Sequence, residues 1–292
     1  MILPDLILSS RVNENSLYTG MDCFDDCRDK DWFKKYPHAV EYNYNSRGFR
    51  DAEWPDCAQE LKQAVWCIGD SFTVGLGSPR SHTWPHVLAE STATRTINIS
   101  LDGASNNWIA RQALKIVKAV QPRVIVLHWS YLHRREGLKD EDQIELTKSN
   151  FIDHYNNIKD CSWPNIQGIK QFNSLPVYIQ NELLNSHDQN WRQGMSDESL
   201  RLWHIKSNES EDIDNILQCA KQIEQSCKET KLIHSFIPGF IQDKYKKLFY
   251  RQFAVSNPVI PDFVALDRAR DGQHYDIKTA VFFVQQIRPL LS

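Results

Sequence analysis

Short apolar runs alternate with amphipathic stretches along most of this 292-residue chain. Five runs that are apolar or rich in β-branched residues are predicted strands: 64–68, 94–99, 123–129, 231–237 and 263–266. Between them, apolar residues recur at helical spacing, as in 108–120 and 277–287. Nearly continuous apolar strands separated by helices are typical of a parallel sheet that is covered on both faces. The pattern therefore predicts an α/β fold with about five parallel strands.

Two parts of the chain lie outside this alternation. Residues 1–60 contain few periodic stretches and many Asp, Asn and aromatic residues, which predicts an N-terminal arm packed on the core. Residues 161–208 interrupt the pattern with Pro, Gly, Asn and Ser, and a minimal α/β unit does not need such a segment. We therefore expect one domain over 61–292 with an insertion at about 161–208.

The composition excludes several classes of protein. With 41% apolar and 24% charged residues, the chain is globular in character, and a net charge of -3 disfavours a nucleic-acid or anionic-membrane surface. Seven cysteines, an odd number, argue against a secreted scaffold built on disulfides alone. The first residues lack the features of a signal peptide, and no apolar run approaches the length of a membrane span. The sequence thus predicts a soluble, cytoplasmic protein without nucleic-acid or membrane partners.

Three residues can form a catalytic set at one edge of the predicted sheet. Ser71 directly follows the first predicted strand and precedes a helix signal, which places its hydroxyl at the edge where open α/β folds bind ligands. Asp271 and His274 lie three residues apart, between the last predicted strand and the last helix. Serine, histidine and aspartate can act as activated nucleophile, general base and orienting anion.

These motifs resemble the blocks of the SGNH (GDSL-type) hydrolase superfamily. Gly69-Asp70-Ser71-Phe72 is similar to the nucleophile block, and Asp271-x-x-His274 to the last block of that family. The segment Asn45-x-x-Gly48-Phe49-Arg50 resembles a subset of its members. Over about 42–136 and 230–290, the resemblance implies a flavodoxin-like three-layer α/β/α fold with strand order 2-1-3-4-5. It also implies serine ester hydrolysis by Ser71, Asp271 and His274, without a metal or organic cofactor.

A different serine-hydrolase family has the same order of catalytic residues. In α/β-hydrolases the nucleophile stands in a Gly-x-Ser-x-Gly elbow, and the aspartate is distant from the histidine in sequence. Here Thr73 occupies the position of the second glycine, and the two partners are only three residues apart. The SGNH resemblance therefore fits the chain better.

The resemblance implies an oxyanion hole but leaves one of its donors open. The Ser71 amide, at the start of a helix, is one donor, and Gly103 lies in a segment that looks like the family's glycine block. The family's third donor is an Asn in a Gly-x-Asn block, and the chain has neither Gly nor Asn over 127–136. Ser130, Tyr131 and His133 are the candidates to replace it.

The substrate is expected to be a small acyl ester, with an O-acetyl ester on a carbohydrate as the favoured class. Five residues at or after the ends of predicted strands are candidates for substrate binding: Asp70, Asn106, Trp129, Tyr131 and Arg134. Two alternatives remain open, an O-acetyltransferase that acts on a sugar and an SGNH-like binding protein with weak or no catalysis. No metal site is predicted, because Pro85 separates His82 from His86 and the sequence shows no third ligand.

Overall fold

The computed structural model describes residues 13, 15–16, 27–131, 134–136, 143–145, 209–227, 229–237, 261 and 263–292. The predicted insertion at 161–208 lies outside these residues, as does His133. None of the helices in these ranges is both long and apolar enough to cross a bilayer.

Within the described residues, four parallel strands form the central sheet, and their order confirms the predicted α/β class. The strands are β3 (Val65–Gly69), β4 (Thr96–Ser100), β5 (Val124–Trp129) and β8 (Lys231–Phe236). They lie side by side in the order β4-β3-β5-β8, so the first four predicted strands follow the predicted arrangement 2-1-3-4. Every residue of β3, β4 and β5 is buried, as expected of strands covered on both faces.

The predicted fifth strand is wrong. Residues 263–266 form no strand, and the Leu266 amide donates instead to the Thr279 hydroxyl at 3.0 Å. Only Phe263 of this run is buried, with its ring 4.7 Å from that of His128 and 4.9 Å from that of Phe283, whereas Val264 and Leu266 are exposed. The chain therefore passes along the fold in this stretch without extending the hydrogen-bonded sheet.

Helices flank the sheet. The α-helices in the described ranges are α1 (Asp31–Lys35), α2 (Ala58–Gln63), α3 (Ser71–Val74), α4 (Trp84–Thr92), α5 (Asn106–Ala119), α6 (Glu209–Ser226) and α7 (Ile277–Ile287). Short 3-10 helices span Arg80–His82 and Arg288–Leu291. Helix α5 packs against α6, and α4 packs against α7. The apolar positions of α5 recur every three or four residues, which gives the helix one buried face.

Two antiparallel pairs lie outside the central sheet. Strand β1 (Asn15–Ser16) pairs with β2 (Tyr42–Asn43), and β6 (Arg134–Glu136) pairs with β7 (Gln143–Glu145). Strand β6 begins five residues after the end of β5, at the edge of the sheet where Ser71 lies. It therefore brings Arg134 close to the predicted catalytic residues.

Candidate active site

Ser71 is placed by a tight turn between β3 and α3. The Asp70 carboxylate caps α3 by accepting the Phe72 amide at 3.1 Å, and the helix begins at Ser71 itself. Gly69 makes this turn possible, because a Cβ added there would lie 2.1 Å from the Thr73 hydroxyl oxygen. The Ser71 side chain therefore emerges at the carboxyl end of β3, in a position where the residue is only 1% exposed.

The structure brings Ser71, His274 and Asp271 together in one hydrogen-bonded chain. His274 Nε2 lies 2.8 Å from Ser71 Oγ, and His274 Nδ1 is hydrogen-bonded to Asp271 Oδ2. The other carboxylate oxygen of Asp271 accepts the backbone amides of Gln273 and His274, each at 2.9 Å. One imidazole nitrogen thus faces the serine and the other faces the carboxylate, which is the arrangement that a Ser-His-Asp triad requires.

The electrostatics of Asp271 favour its charged form. Burial raises the pKa of this carboxyl, but the hydrogen bond and charge of His274, together with two backbone amides, outweigh burial and leave the pKa below its ordinary value. Asp271 is therefore ionised at neutral pH. An ionised carboxylate at Nδ1 directs the proton of the imidazole to that nitrogen and leaves Nε2 as an acceptor for the serine hydroxyl.

Gly77 places the Asp271 turn against the segment that follows α3. Its carbonyl accepts the Arg270 amide at 2.8 Å, and its φ of 73° lies in the left-handed region. A Cβ at this position would lie 2.9 Å from Ala269 Cβ and 3.0 Å from Asp271 Cγ. The local sequence does not indicate a role for Gly77, because the role comes from contact with a turn almost 200 residues later.

The two predicted backbone donors lie at the same edge of the sheet. The Ser71 amide is in the first turn of α3, where no carbonyl of the helix can accept it. Gly103 has a φ of 72° in a turn that the Ala104 amide closes onto the Leu101 carbonyl at 3.1 Å. The Leu101 amide in turn donates to the Gly69 carbonyl at 3.2 Å, which ties the Gly103 turn to the end of β3.

Ser130, the predicted third donor, is bonded to Asp70 in this structure. The Ser130 hydroxyl donates to Asp70 Oδ2 at 2.7 Å, and Arg134 donates to the same oxygen at 2.8 Å and to the Ser130 hydroxyl oxygen at 2.9 Å. Burial raises the pKa of Asp70, while the Arg134 charge and the Ser130 hydroxyl act in the opposite direction. The Ser130 hydroxyl proton therefore serves a buried carboxylate, which needs such donors in place of water.

The five predicted substrate-binding residues divide into two groups. Asn106 accepts the Ser130 amide at 2.8 Å and donates to the Ser130 and Tyr131 carbonyls, so it fixes the backbone after β5. Trp129 is buried in the core, where its indole N–H donates to His234 Nδ1 at 3.1 Å.

Asp70, Asn106 and Trp129 thus hold the site together from inside and do not line its surface. Tyr131 is half-buried, and the Arg134 side chain is 10% exposed, with its guanidinium 4.9 Å from the centre of the Tyr131 ring. They are the two candidates whose position permits contact with a substrate.

Arg50 is a positioning residue whose contacts sequence analysis did not foresee. It is 1% exposed, and its guanidinium donates to the carbonyls of Val74 (3.2 Å) and Gly75 (2.6 Å) at the end of α3. It also donates to the carbonyls of Glu41 and Ser78, at 2.9 and 2.8 Å. The last carbonyls of a helix lack partners within it, so Arg50 supplies them and fixes the helix that carries the serine. The Gly-Phe-Arg motif singles out Arg50 in the sequence, but it does not indicate which groups Arg50 contacts.

Comparisons with known proteins give structural likeness alone. No family model and no curated protein matches the chain. Among solved structures, TesA is 13% identical with a TM-score of 0.41, covering 79% of this chain and 98% of that one. A carbohydrate esterase family 2 enzyme with a carbohydrate-binding domain, from Corynascus thermopiles, is 10% identical with a TM-score of 0.43 and coverages of 86% and 70%. A GDSL-like lipase from Bacteroides thetaiotaomicron is 12% identical with a TM-score of 0.36 and coverages of 82% and 91%.

These TM-scores all lie below 0.5, so the likeness assigns neither fold nor activity to this chain. The α/β fold rests on the parallel sheet of this chain itself.

Proposed function

We propose that this protein is a serine esterase of SGNH type that hydrolyses small acyl esters through an acyl-enzyme. The observation that carries the proposal is the hydrogen-bonded chain from Asp271 through His274 to Ser71. It joins residues 203 positions apart in the sequence at the carboxyl edge of a parallel sheet. A structural serine does not need an imidazole held by an ionised carboxylate at its hydroxyl, whereas a nucleophile does.

The proposed reaction begins with attack by Ser71 Oγ on the carbonyl carbon of the ester. His274 Nε2 takes the hydroxyl proton as the Oγ–C bond forms, and the carbonyl electron pair moves to the oxygen. The amides of Ser71 and Gly103 stabilise this oxyanion. When the tetrahedral intermediate collapses, the alcohol leaves with the proton from His274, and Ser71 carries the acyl group. Water, deprotonated by His274, then attacks the acyl carbon and regenerates the serine.

Asp271 does not exchange protons in this scheme. Its low pKa keeps the carboxylate charged, so that it orients the imidazole and stabilises the imidazolium that forms twice in each cycle. The proposed oxyanion hole has two backbone donors, the amides of Ser71 and Gly103. Ser130 is not counted as a third, because its hydroxyl donates to Asp70. Because one donor is typically worth about 10²–10³ in rate, we expect turnover below that of an otherwise equal three-donor site.

An acetyl ester on a carbohydrate is the proposed substrate class, on the resemblance of the sequence motifs to sugar-modifying relatives. Tyr131 and Arg134 are the proposed substrate contacts, because they combine an aromatic face with a guanidinium and, unlike the other three candidates, are not fully buried. Such a pair suits a polar, hydroxyl-rich alcohol better than a long apolar one. No cofactor takes part in the scheme.

The test is hydrolysis of p-nitrophenyl acetate by the wild type, Ser71→Ala and His274→Ala, with Ser91→Ala as the matched control. Ser91 lies on α4, and its hydroxyl donates to the Leu88 carbonyl of the same helix. We expect turnover by the wild type and Ser91→Ala, and background rates for the other two variants. Activity that survives Ser71→Ala would overturn the proposal.

A second measurement addresses a wild type that does not cleave this ester. Labelling with a fluorophosphonate, followed by peptide mass spectrometry, reports an activated serine independently of the substrate. Modification at Ser71 that is lost in His274→Ala supports the triad, and no modification at all contradicts it. Product analysis with a sugar acceptor present then separates hydrolysis, which gives free acetate, from acetyl transfer, which gives an acetylated sugar.

A further inference from the structure

Three side chains with metal-binding donor atoms meet beside the loop that carries Asp271 and His274. His38 follows α1, His82 ends the first 3-10 helix, and Asp276 immediately precedes α7. One donor atom from each residue lies within 4.8 Å of the other two. In the sequence, His86 is the histidine nearest to His82. In the structure, the partners of His82 are instead His38 and Asp276, from opposite ends of the chain.

The donor set is the kind that Zn²⁺ prefers. Two imidazole nitrogens and one carboxylate oxygen supply three ligands, and a water molecule can complete a tetrahedron. With ligand bonds of about 2.0–2.2 Å, the donor atoms of such a site stand about 3.3 Å apart. His82 Nδ1 and Asp276 Oδ1 lie 2.7 Å apart, and the donor atoms of the three residues are all within 4.8 Å of one another. A shift of about 1.5 Å would bring the widest such separation to the tetrahedral value. The ion would take the place of the proton between His82 and Asp276.

The cluster is also held in place before any ion binds. The side chains of His82 and Asp276 are 17% and 9% exposed, so two of the three ligands are largely removed from water. The Asp276 amide donates to the Asp267 carboxylate at 3.1 Å. The His38 ring packs edge-on against the rings of Tyr36 and His82, at centroid distances of 5.2 and 4.6 Å. Ordering these side chains therefore adds little to the cost of binding.

The position of the cluster indicates what a bound ion would do. Helix α1 already lies on the Asp271–His274 loop, since a Cβ at Gly272 would come within 2.8 Å of the Trp32 indole. The Arg270 guanidinium also lies 3.9 Å from the centre of the Phe33 ring. His38 follows these residues, and Asp276 lies two residues after His274. An ion between them would join the N-terminal segment to the loop of the triad.

We infer that His38, His82 and Asp276 form a structural site for a divalent transition-metal ion, Zn²⁺ by its donor chemistry, which fastens the N-terminal segment to the Asp271–His274 loop. The site is separate from the ester chemistry and does not depend on it. The competing interpretation is a plain hydrogen bond between His82 and Asp276 with His38 packed against it, and that interpretation predicts no stoichiometric metal binding.

The test uses the full chain, freed of tag and treated with EDTA, in titrations with ZnSO₄ followed by calorimetry. Co²⁺ absorption in the visible range serves as a second readout, because intense bands report tetrahedral coordination. We expect one Zn²⁺ per chain and a higher melting temperature with zinc than without. His38→Ala and Asp276→Asn are each expected to weaken binding at least tenfold and to remove the thermal shift.

His86→Ala is the matched control, since it removes a neighbouring histidine that takes no part in the cluster. It is expected to bind as the wild type does. His38 is exposed, so its replacement tests the site without disturbing the core. The inference is overturned if the wild type binds no stoichiometric ion, or if His38→Ala binds zinc as tightly as the wild type. Both results are independent of whether the protein cleaves esters.

Discussion

Replacement of Arg50 by lysine tests whether one buried guanidinium holds the nucleophile helix. Arg50 makes four hydrogen bonds to carbonyl oxygens, two from each terminal nitrogen. Lysine keeps the charge and most of the length of the side chain, but its three donors share a single nitrogen. That nitrogen can replace one terminal nitrogen of the guanidinium, but it cannot occupy both positions. Arg50→Lys therefore removes about half of the contacts without removing the charge.

The magnitude follows from the two carbonyls that lose their donor. A buried polar group left without a partner costs about 1–3 kcal/mol, so the loss in the free energy of unfolding for two carbonyls should be about 2–6 kcal/mol. This is a large fraction of the roughly 5–15 kcal/mol that stabilises a typical domain. Because the carbonyls of Val74 and Gly75 belong to the end of α3, kcat for ester cleavage should also fall as Ser71 loses its fixed position.

Urea unfolding at 25 °C, followed by the fluorescence of the nine tryptophans, measures the effect. Arg123→Lys is the matched control, because Arg123 is exposed and one terminal nitrogen of its guanidinium donates to the Leu291 carbonyl at 2.7 Å. Lysine can keep a hydrogen bond of this kind, so the control should lose no more than about 1 kcal/mol. If Arg50→Lys costs no more stability than Arg123→Lys, the guanidinium does not hold α3 and the reasoning is refuted.

Two further predictions concern groups buried around the site. Burial lowers the pKa of His128 to about 3 from 6.5, so the unfolded chain binds more protons and stability falls as the pH drops below 6.5. Between pH 6.5 and 5, the free energy of unfolding of His128→Gln should therefore fall by about 2 kcal/mol less than that of the wild type, as measured by urea titrations. Equal falls in the two proteins would contradict the lowered pKa of His128. Gly77→Ala should lower kcat/KM for ester hydrolysis more than tenfold by displacing Asp271, whereas Gly48→Ala, with a similar φ of 80°, should not. Equal activity of these two glycine variants would show that the contact with Asp271 is unimportant.

The sequence was sufficient to predict four strands of the sheet and the proximity of Ser71 to Asp271 and His274, for a topological reason. The carboxyl ends of parallel strands share one edge, so a serine after the first strand and an Asp-x-x-His before the last helix are brought to the same place. The run at 263–266 shows the limit of this reasoning. A short apolar segment with one buried aromatic residue has the same composition as a strand, and only hydrogen-bond partners separate the two.

Contacts between irregular segments were beyond prediction from the sequence. The sequence makes Ser130 a candidate oxyanion donor, whereas in the structure its hydroxyl donates to the buried Asp70 carboxylate. His82 likewise meets a histidine from the N-terminal segment and an aspartate 194 residues later, and no periodicity relates the three. Patterns predict elements that repeat, whereas these contacts depend on how the chain closes in three dimensions.

The distance along the chain between the serine and its base has a consequence for biosynthesis. His274 is added to the nascent chain 203 residues after Ser71. At typical elongation rates of about 5–20 residues per second, this interval lasts roughly 10–40 s. During this interval the nascent chain contains the hydroxyl but not the imidazole that activates it. Covalent labelling of Ser71 would therefore report that synthesis has passed His274 and that the chain has folded around the two residues.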